Sequence, residues 1–432
     1  MCFKGQFVAL TRPAMLQAFV FSREAVMAVG QFPFPAMNTV KGVRIGSACA
    51  GIKTAGREDL VVFEFIEGTR VAGVFTKNAF CAAPVTVCKN HLKQAEIRYL
   101  VVNSGNANAC TGAQGMDDSL TSCHQLARLG GVESNQVLPF STGVIGVNLP
   151  MDKLTTALPE AFKALRDNGW ASAAQGILTT DSRPKGASVQ FMHEGETVTV
   201  TGVAKGSGMI RPDMATMLAY IATDAPVAKD VLQALLLEAT NLSFNRITVD
   251  GDTSTNDSCI LAATGQVSLS EITETSGEFY EKLRSAVIDV QIDLAKNIVS
   301  DGEGATKWVT IEVHGGSTEQ ESIKVGYAVA HSPLVKTALF ASDPNWGRIV
   351  AAIGYADVEA LDANKVKVWL GDVLIVENGG CASTYTEEAG QQVMNKEEIL
   401  IRIDLNRGAD KVVLWTTDLS YEYVKINAEY RS

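Results

Sequence analysis

The 432-residue chain carries 48 acidic and 37 basic side chains, a formal charge of −11. That acidic balance argues against nucleic acid or an anionic membrane as the main partner. A content of 46% hydrophobic and 20% charged residues excludes disorder for most of the chain, and no apolar run approaches the ~18 residues of a membrane span.

Residues 1–36 hold one acid, Glu24, against Lys4, Arg12 and Arg23, with an apolar stretch around Met15–Phe21. A transit peptide would share that balance but would be richer in serine. Met27 offers an alternative start, so residues 1–26 are read as an N-terminal extension outside the core. Strand-like runs then follow at Leu60–Phe65, Val71–Thr76, Tyr99–Val102, Thr197–Val203, Met217–Thr223 and Cys259–Ala263. Further runs of this kind lie at Trp308–Val313, Ile349–Ile353, Val366–Val376, Ile399–Ile403 and Val412–Trp415. Helical periodicity marks three segments. Asp117–Leu129 sets Leu120, His124 and Ala127 on one face and stops at Gly130-Gly131, a C-terminal cap. Lys229–Leu242 is the second. Gly277–Val299 is the third, with Phe279, Leu283, Val287, Val290 and Leu294 spaced by three and four.

Strands often succeed one another without a helix between them, which excludes a simple doubly wound sheet and favours a layered α+β fold. Composition offers breaks at Asn103–Gly115, Asp181–Gly186 and His314–Glu321. The eight cysteines form no CxxC pair and no secretory framework, so reduced thiols in the cytoplasm are the expectation.

Familiar catalytic patterns are missing: no GxSxG, HExxH, Walker A loop or GxGxxG. The five histidines have no ligand spacing. Asp250-Gly-Asp252-Thr-Ser-Thr-Asn-Asp257 has the oxygen content of a cation loop, but the EF-hand glycine and glutamate positions hold Thr255 and Leu261. A polar turn bonding local backbone is the better reading, and no metal is expected.

The informative stretch is Lys205-Gly-Ser-Gly-Met-Ile-Arg-Pro-Asp-Met-Ala215-Thr216, followed at once by an apolar strand. Breaking the Ala215–Thr216 bond would give Thr216 an α-amine beside its own hydroxyl. Such an amine, with a reference pKa of ~7.7–8.0, can serve as a base near neutrality. A threonine paired with its own amine is a working nucleophile–base unit. Spacing alone would leave Thr216 an ordinary strand residue.

Lys205–Ala225 resembles the self-cleavage segment of the ornithine acetyltransferase family (glutamate N-acetyltransferase, ArgJ). Similar blocks are Val102-Asn-Ser-Gly-Asn-Ala-Asn108, Phe140-Ser-Thr-Gly-Val-Ile-Gly146 and Leu178-Thr-Thr-Asp-Ser-Arg-Pro-Lys-Gly-Ala187. So are Asn245–Asp257, Asp301-Gly-Glu-Gly-Ala-Thr-Lys307, Asp343-Pro-Asn-Trp-Gly-Arg-Ile349 and Tyr423–Ser432. The likeness runs in order from about Val40 to the last residue.

The resemblance implies an αββα-layered α+β sandwich with a smaller second α/β lobe. It implies self-cleavage at Ala215–Thr216 into an α chain, 27–215, and a β chain, 216–432, held as an α2β2 heterotetramer. Thr216 would be the nucleophile, and Thr142 and Gly143 the oxyanion hole. Thr179, Lys205, Thr216, Glu303, Asn427 and Ser432 would bind substrate, Lys205 suiting a carboxylate and Glu303 an ammonium or acyl-amide proton. Without the resemblance, Lys205 reads as a solvated loop lysine, Glu303 as a turn acid and Ser141–Gly143 as an ordinary turn. Ser432 departs from the usual family threonine but keeps its hydroxyl.

The implied reaction moves acetyl from N2-acetylornithine to glutamate in arginine biosynthesis, without a cofactor. Some family members also use acetyl-CoA, an activity that no residue here reveals. The rivals are a Thr- or Ser-nucleophile aminopeptidase or amidase of the same superfamily, a non-catalytic amino-acid-binding protein, and a metal-dependent phosphotransferase built on Asp250, Asp252 and Asp257.

Overall fold

A computed structural model describes residues 29–30, 33–211 and 217–430. The extension 1–26, the Ala215–Thr216 bond and Ser432 lie outside the described residues. Three sheets organise the rest. The first has the order β1 (Val43–Ala48), β2 (Leu60–Phe65), β4 (Tyr99–Asn106), β5 (Val137–Val144), with β4 and β5 parallel. The second has the order β3 (Arg70–Phe75), β9 (Ser258–Ala263), β8 (Leu218–Thr223), β7 (Glu196–Lys205), β6 (Lys185–His193).

These two sheets pack face to face. Phe63, Leu100, Val102, Leu138 and Phe140 of the first meet Val203, Leu218, Tyr220, Ile260 and Ala262 of the second in one dry core. The strand runs Leu218–Thr223 and Ser258–Ala263 are buried at every position, as befits central strands covered on both faces. Helices cover the outer faces. Helices α2 (Gly112–Gly130) and α3 (Met151–Lys163) pack on the first sheet, and α1 (Ala83–Gln94) and α4 (Trp170–Gly176) reach both sheets. Over the second sheet lie α5 (Lys229–Leu242) and α6 (Glu278–Ser300), which bury Leu232, Leu236, Leu283, Val287, Val290 and Leu294. This is the αββα sandwich that the family resemblance implied.

The smaller lobe is a six-stranded sheet with its own core. Its order is β13 (Gly380–Cys381), β12 (Val373–Glu377), β11 (Lys367–Leu370), β14 (Glu398–Asp404), β10 (Trp308–Gly316), β15 (Asp410–Thr417). Helices α7 (Glu319–His331), α8 (Pro333–Phe340), α9 (Trp346–Gly354) and α10 (Glu387–Met394) attend it. The last helix, α11 (Tyr421–Ala428), leaves the lobe and returns to the sandwich, where the Ser420 hydroxyl donates to the Gly304 carbonyl at 2.6 Å. Among the described residues no helix is long and apolar enough to cross a membrane.

Four expectations need correction. Ile349–Ile353 is helical: Ile349, Ala352 and Ile353 bury at helical spacing, so the β-branched run misled. Val366–Val376 is a hairpin, not one strand, because Gly371 turns the chain in the left-handed region at φ +57°. Helix α2 buries Ser119, Cys123 and Leu126 beside Ala127, while Leu120 and His124 face outward. The cap at its end is as expected, with Gly131 left-handed. The lobes divide near Asp301–Lys307, not at any of the three compositional breaks.

Candidate active site

The site lies where the ends of β5 and β7 meet the turn after α6. Thr142 and Gly143 close β5, beside a bulge at Gly105–Asn106 of β4. Gly143 has φ +135°, and a Cβ there would stand 2.3 Å from the Gly105 carbonyl carbon and 2.5 Å from the Asn106 nitrogen. Only glycine fits. The turn is tied from below by buried amides. The Asn256 amide donates to the carbonyls of Ala107 (2.5 Å) and Ser141 (2.8 Å), and the Ser141 hydroxyl donates to Asn103 Oδ1 at 2.6 Å.

Lys205 ends β7, nearly buried, and its Nζ donates to the Thr142 hydroxyl at 3.4 Å. Its neighbours are fixed by Asp181. That carboxylate accepts from the Gly206 N–H (2.7 Å), the Thr179 N–H (2.9 Å) and the Lys185 ammonium (2.6 Å). Lys185 is wholly buried and also bridges to Asp301 at 2.6 Å. Burial alone would raise the Asp181 pKa, but Lys185 and Lys205 hold it well below the ordinary carboxylate range. One buried acid thus sets both Thr179 and the strand end that carries Lys205.

Glu303 sits in the turn after α6, where its N–H donates to the Ser207 carbonyl at 2.9 Å and its carboxylate lies over Gly208. The Asn427 amide on α11 donates to it at 2.7 Å. Burial raises the Glu303 pKa, against the pull of hydrogen bonds from Thr180 and Asn427.

Thr142, Gly143, Thr179, Lys205, Glu303 and Asn427 all line one cavity of about 260 Å³. Met217, the residue after Thr216, lines it too. Of the residues that the sequence marked for the site, Ala215, Thr216 and Ser432 fall outside the described residues.

Three further lining residues, Asn256, Asp257 and Tyr430, had no assigned part in acyl transfer, Asp257 having been named only in the rival phosphotransfer reading. Asp257 is buried and its Oδ2 has no hydrogen-bond partner among the described residues. Burial pushes its pKa well up, despite Ser254 and the charge of Lys205. All three stand in blocks that carried the family resemblance, which was the only available signal. Tyr430 also lines a smaller cavity of about 60 Å³ with Lys53, Arg57 and Thr179. Among the described residues no group of three or more His, Cys, Asp or Glu could hold a metal ion.

Buried hydroxyl, main-chain N–H, ammonium and carboxyl groups facing one space suit acyl transfer between amino acids. The first two can meet an oxyanion, and the last two can meet the charged ends of the substrate.

Known proteins resemble this chain over most of its length. The ArgJ family model matches residues 44–432. The chain is 58% identical to the arginine biosynthesis bifunctional protein ArgJ of Pseudomonas fluorescens (strain Pf0-1), over 94% of this chain and all of that protein. It is 59% identical to the protein of the same name from Pseudomonas syringae pv. tomato, with the same coverage. Among solved structures, ArgJ of Bacillus halodurans is 36% identical with a TM-score of 0.46, covering 48% of this chain and 97% of that one. The ornithine acetyltransferase of Mycobacterium tuberculosis, solved with ornithine, is 36% identical with a TM-score of 0.39, covering 41% and 94%.

Proposed function

The chain belongs to the ArgJ family and is an acyltransferase, and on that premise we propose that it moves an acetyl group from N2-acetylornithine to L-glutamate in arginine biosynthesis. The observation that carries the reading is the cavity that gathers Thr142, Gly143, Thr179, Lys205, Glu303 and Asn427 from five separate segments of the fold beside Met217.

In this proposal the chain matures by cleavage at Ala215–Thr216, an N→O acyl shift followed by hydrolysis. The products are the chains 27–215, with the extension 1–26 outside the core, and 216–432, held together as α2β2 in the cytoplasm. The Thr216 hydroxyl attacks the acetyl carbonyl of acetylornithine, and its own amine takes the hydroxyl proton. The Thr142 hydroxyl and the Gly143 N–H stabilise the tetrahedral oxyanion. The carbon–nitrogen bond breaks, the amine passes its proton to departing ornithine, and an acetyl-Thr216 ester remains. Glutamate then attacks that ester by the reverse sequence of proton transfers.

Lys205 makes one long hydrogen bond among the described residues, which leaves its other protons for a substrate carboxylate. Glu303 and Asn427 take the amine end, Thr179 adds a hydroxyl, and Ser432 completes the substrate contacts. Two amino acids share this one pocket in turn, so ping-pong kinetics follow. No cofactor takes part. Acetyl-CoA is a second donor in this scheme, tested by omitting acetylornithine.

The test is mass spectrometry of purified protein mixed with acetylornithine alone. A new N-terminus at Thr216, bearing one acetyl group, is expected, and Thr216→Ala should remain full-length and inactive. Free acetate in place of acetylglutamate would favour the amidase reading. Absence of both the new terminus and the acetyl group would overturn the scheme.

A further inference from the structure

The acidic turn that opens with Asp250 does more than bond its own backbone. Asp250 Oδ2 accepts from the Met209 N–H at 2.7 Å and from the Tyr423 hydroxyl at 3.2 Å. Its Oδ1 accepts from the Ile210 N–H at 2.9 Å and from the Asp252 N–H at 3.1 Å. Neighbouring residues of the turn grip the same distant segment. The Thr248 hydroxyl and the Val249 N–H both donate to the Ile210 carbonyl at 2.8 Å, and the Thr253 hydroxyl donates to the Arg211 carbonyl at 3.3 Å. Met209 itself sits at φ +55°, a conformation unusual for a side chain other than glycine, and the bond to Asp250 helps to hold it there.

The two partners of Oδ2 come from different elements, one lining the cavity and one behind it. Met209 and Ile210 line it from the loop after β7, whereas Tyr423 stands one helical turn before Asn427 on α11. Asn427 reaches Glu303, so the chain of bonds runs from the loop through Asp250 and Tyr423 to the helix whose amide touches the Glu303 carboxylate. A carboxylate is suited to this work, because it accepts four bonds at once and charge strengthens each of them.

We infer that Asp250 is a positioning residue for the proposed transfer: it fixes the Met209–Ile210 main chain against helix α11 and so sets the width of the pocket in which each amino acid is held. In the same turn the Thr253 hydroxyl anchors the Arg211 carbonyl, four residues ahead of Ala215, so the turn that Asp250 opens also braces the approach to the proposed scissile bond. The inference rests on the acetyl-transfer reading. Asp250→Asn keeps the size but turns one acceptor into a donor facing other donors. Tyr423→Phe removes only the link to α11.

The experiment follows self-cleavage on denaturing gels and steady-state transfer for the wild type and both variants, with melting temperature as a control. Asp250→Asn should cleave more slowly and show a KM for acetylornithine raised roughly tenfold. Tyr423→Phe should cleave at the wild-type rate and raise KM about threefold, the loss falling on KM and not on kcat. If Asp250→Asn does not accumulate as folded protein, Tyr423→Phe decides alone: a raised KM supports the inference and an unchanged one overturns it. A loss in kcat at constant KM also overturns it. A wild-type protein that neither cleaves nor transfers overturns the acetyl-transfer reading and this inference with it. A normal wild type with both variants at its KM overturns this inference alone.

Discussion

The cavity wall that carries Thr142 and Gly143 is made of backbone, whereas the wall that carries Glu303 and Asn427 is hung on side chains. On the first wall, parallel strands β4 and β5 end together, Gly143 fits against the Gly105 backbone, and buried Asn103, Ser141 and Asn256 close the hydrogen bonds beneath. On the second, α11 has no buried residue of its own and docks through Ser420, Tyr423 and Asn427. The difference suits the proposed chemistry. Oxyanion donors must be set before reaction, since any movement costs barrier height. A pocket that receives ornithine and glutamate in turn has more use for a wall that can adjust.

Below both walls lies the Lys185–Asp181–Asp301 cluster, and the largest expected effect comes from breaking it. Lys185→Met should cost roughly 3–5 kcal/mol in denaturant unfolding, because two buried carboxylates would lose their shared cation. An unchanged midpoint would show that the walls do not depend on it. The pH dependence has a definite sign. Asp181 is held below its unfolded pKa, so its contribution is present at neutrality and is lost only as pH falls below about 4.

Gly143→Ala tests the backbone wall. The added methyl meets the Gly105 backbone, so the N–H must move, and kcat should fall by about 10²–10³ with little change in KM. A KM effect of that size instead would place Gly143 among the substrate contacts and erase the contrast between walls.

Glu303→Gln tests the second wall, and here the loss should fall on KM. A charged hydrogen bond worth about 1.5–3 kcal/mol corresponds to a rise of roughly 10–100-fold. Burial raises the Glu303 pKa, so wild-type KM should climb as pH falls through a midpoint above the ordinary glutamate range. The amide variant should lack that limb. A limb that persists in Glu303→Gln belongs to another group.

These contrasts also mark what could be read from sequence. Helix α5 is present over the residues that its periodicity indicated, and β2 likewise, because each is a local pattern with a clear face. Strand β5 escaped notice: Pro139 interrupts it and Ser141-Thr142-Gly143 reads as a turn. Ile349–Ile353 was misjudged because β-branched residues also fill the buried stripe of α9. No spacing rule could bring Thr142, Lys205, Glu303 and Asn427 to one cavity, since they come from two sheets, a post-helix turn and the terminal helix. Family resemblance nominated them. It was silent on Asp181, Asp250 and Asp257, whose roles depend on burial and on partners distant in sequence.

A smaller effect than at either wall is expected at the chain's end. Tyr430 lines both cavities, its carbonyl accepts from the Lys53 ammonium at 3.0 Å, and that ammonium lies 5.1 Å from the ring centroid. Both contacts involve an exposed lysine, so each contributes on the order of 1 kcal/mol or less. Removing Tyr430–Ser432 should therefore raise the substrate KM by about fivefold, a rise that includes the proposed Ser432 contact. The bonds from Asp250 to Met209, Ile210 and Tyr423 all lie outside the deletion, so self-cleavage should proceed at the wild-type rate. Lys53→Met in the full-length chain separates the two contributions. If it reproduces most of the truncation's effect, Tyr430 acts through Lys53; if it leaves KM unchanged, the effect belongs to the ring and the terminal hydroxyl. A truncation that slows cleavage would instead mean that the terminal residues brace the backbone wall, and the two walls could no longer be treated as separate.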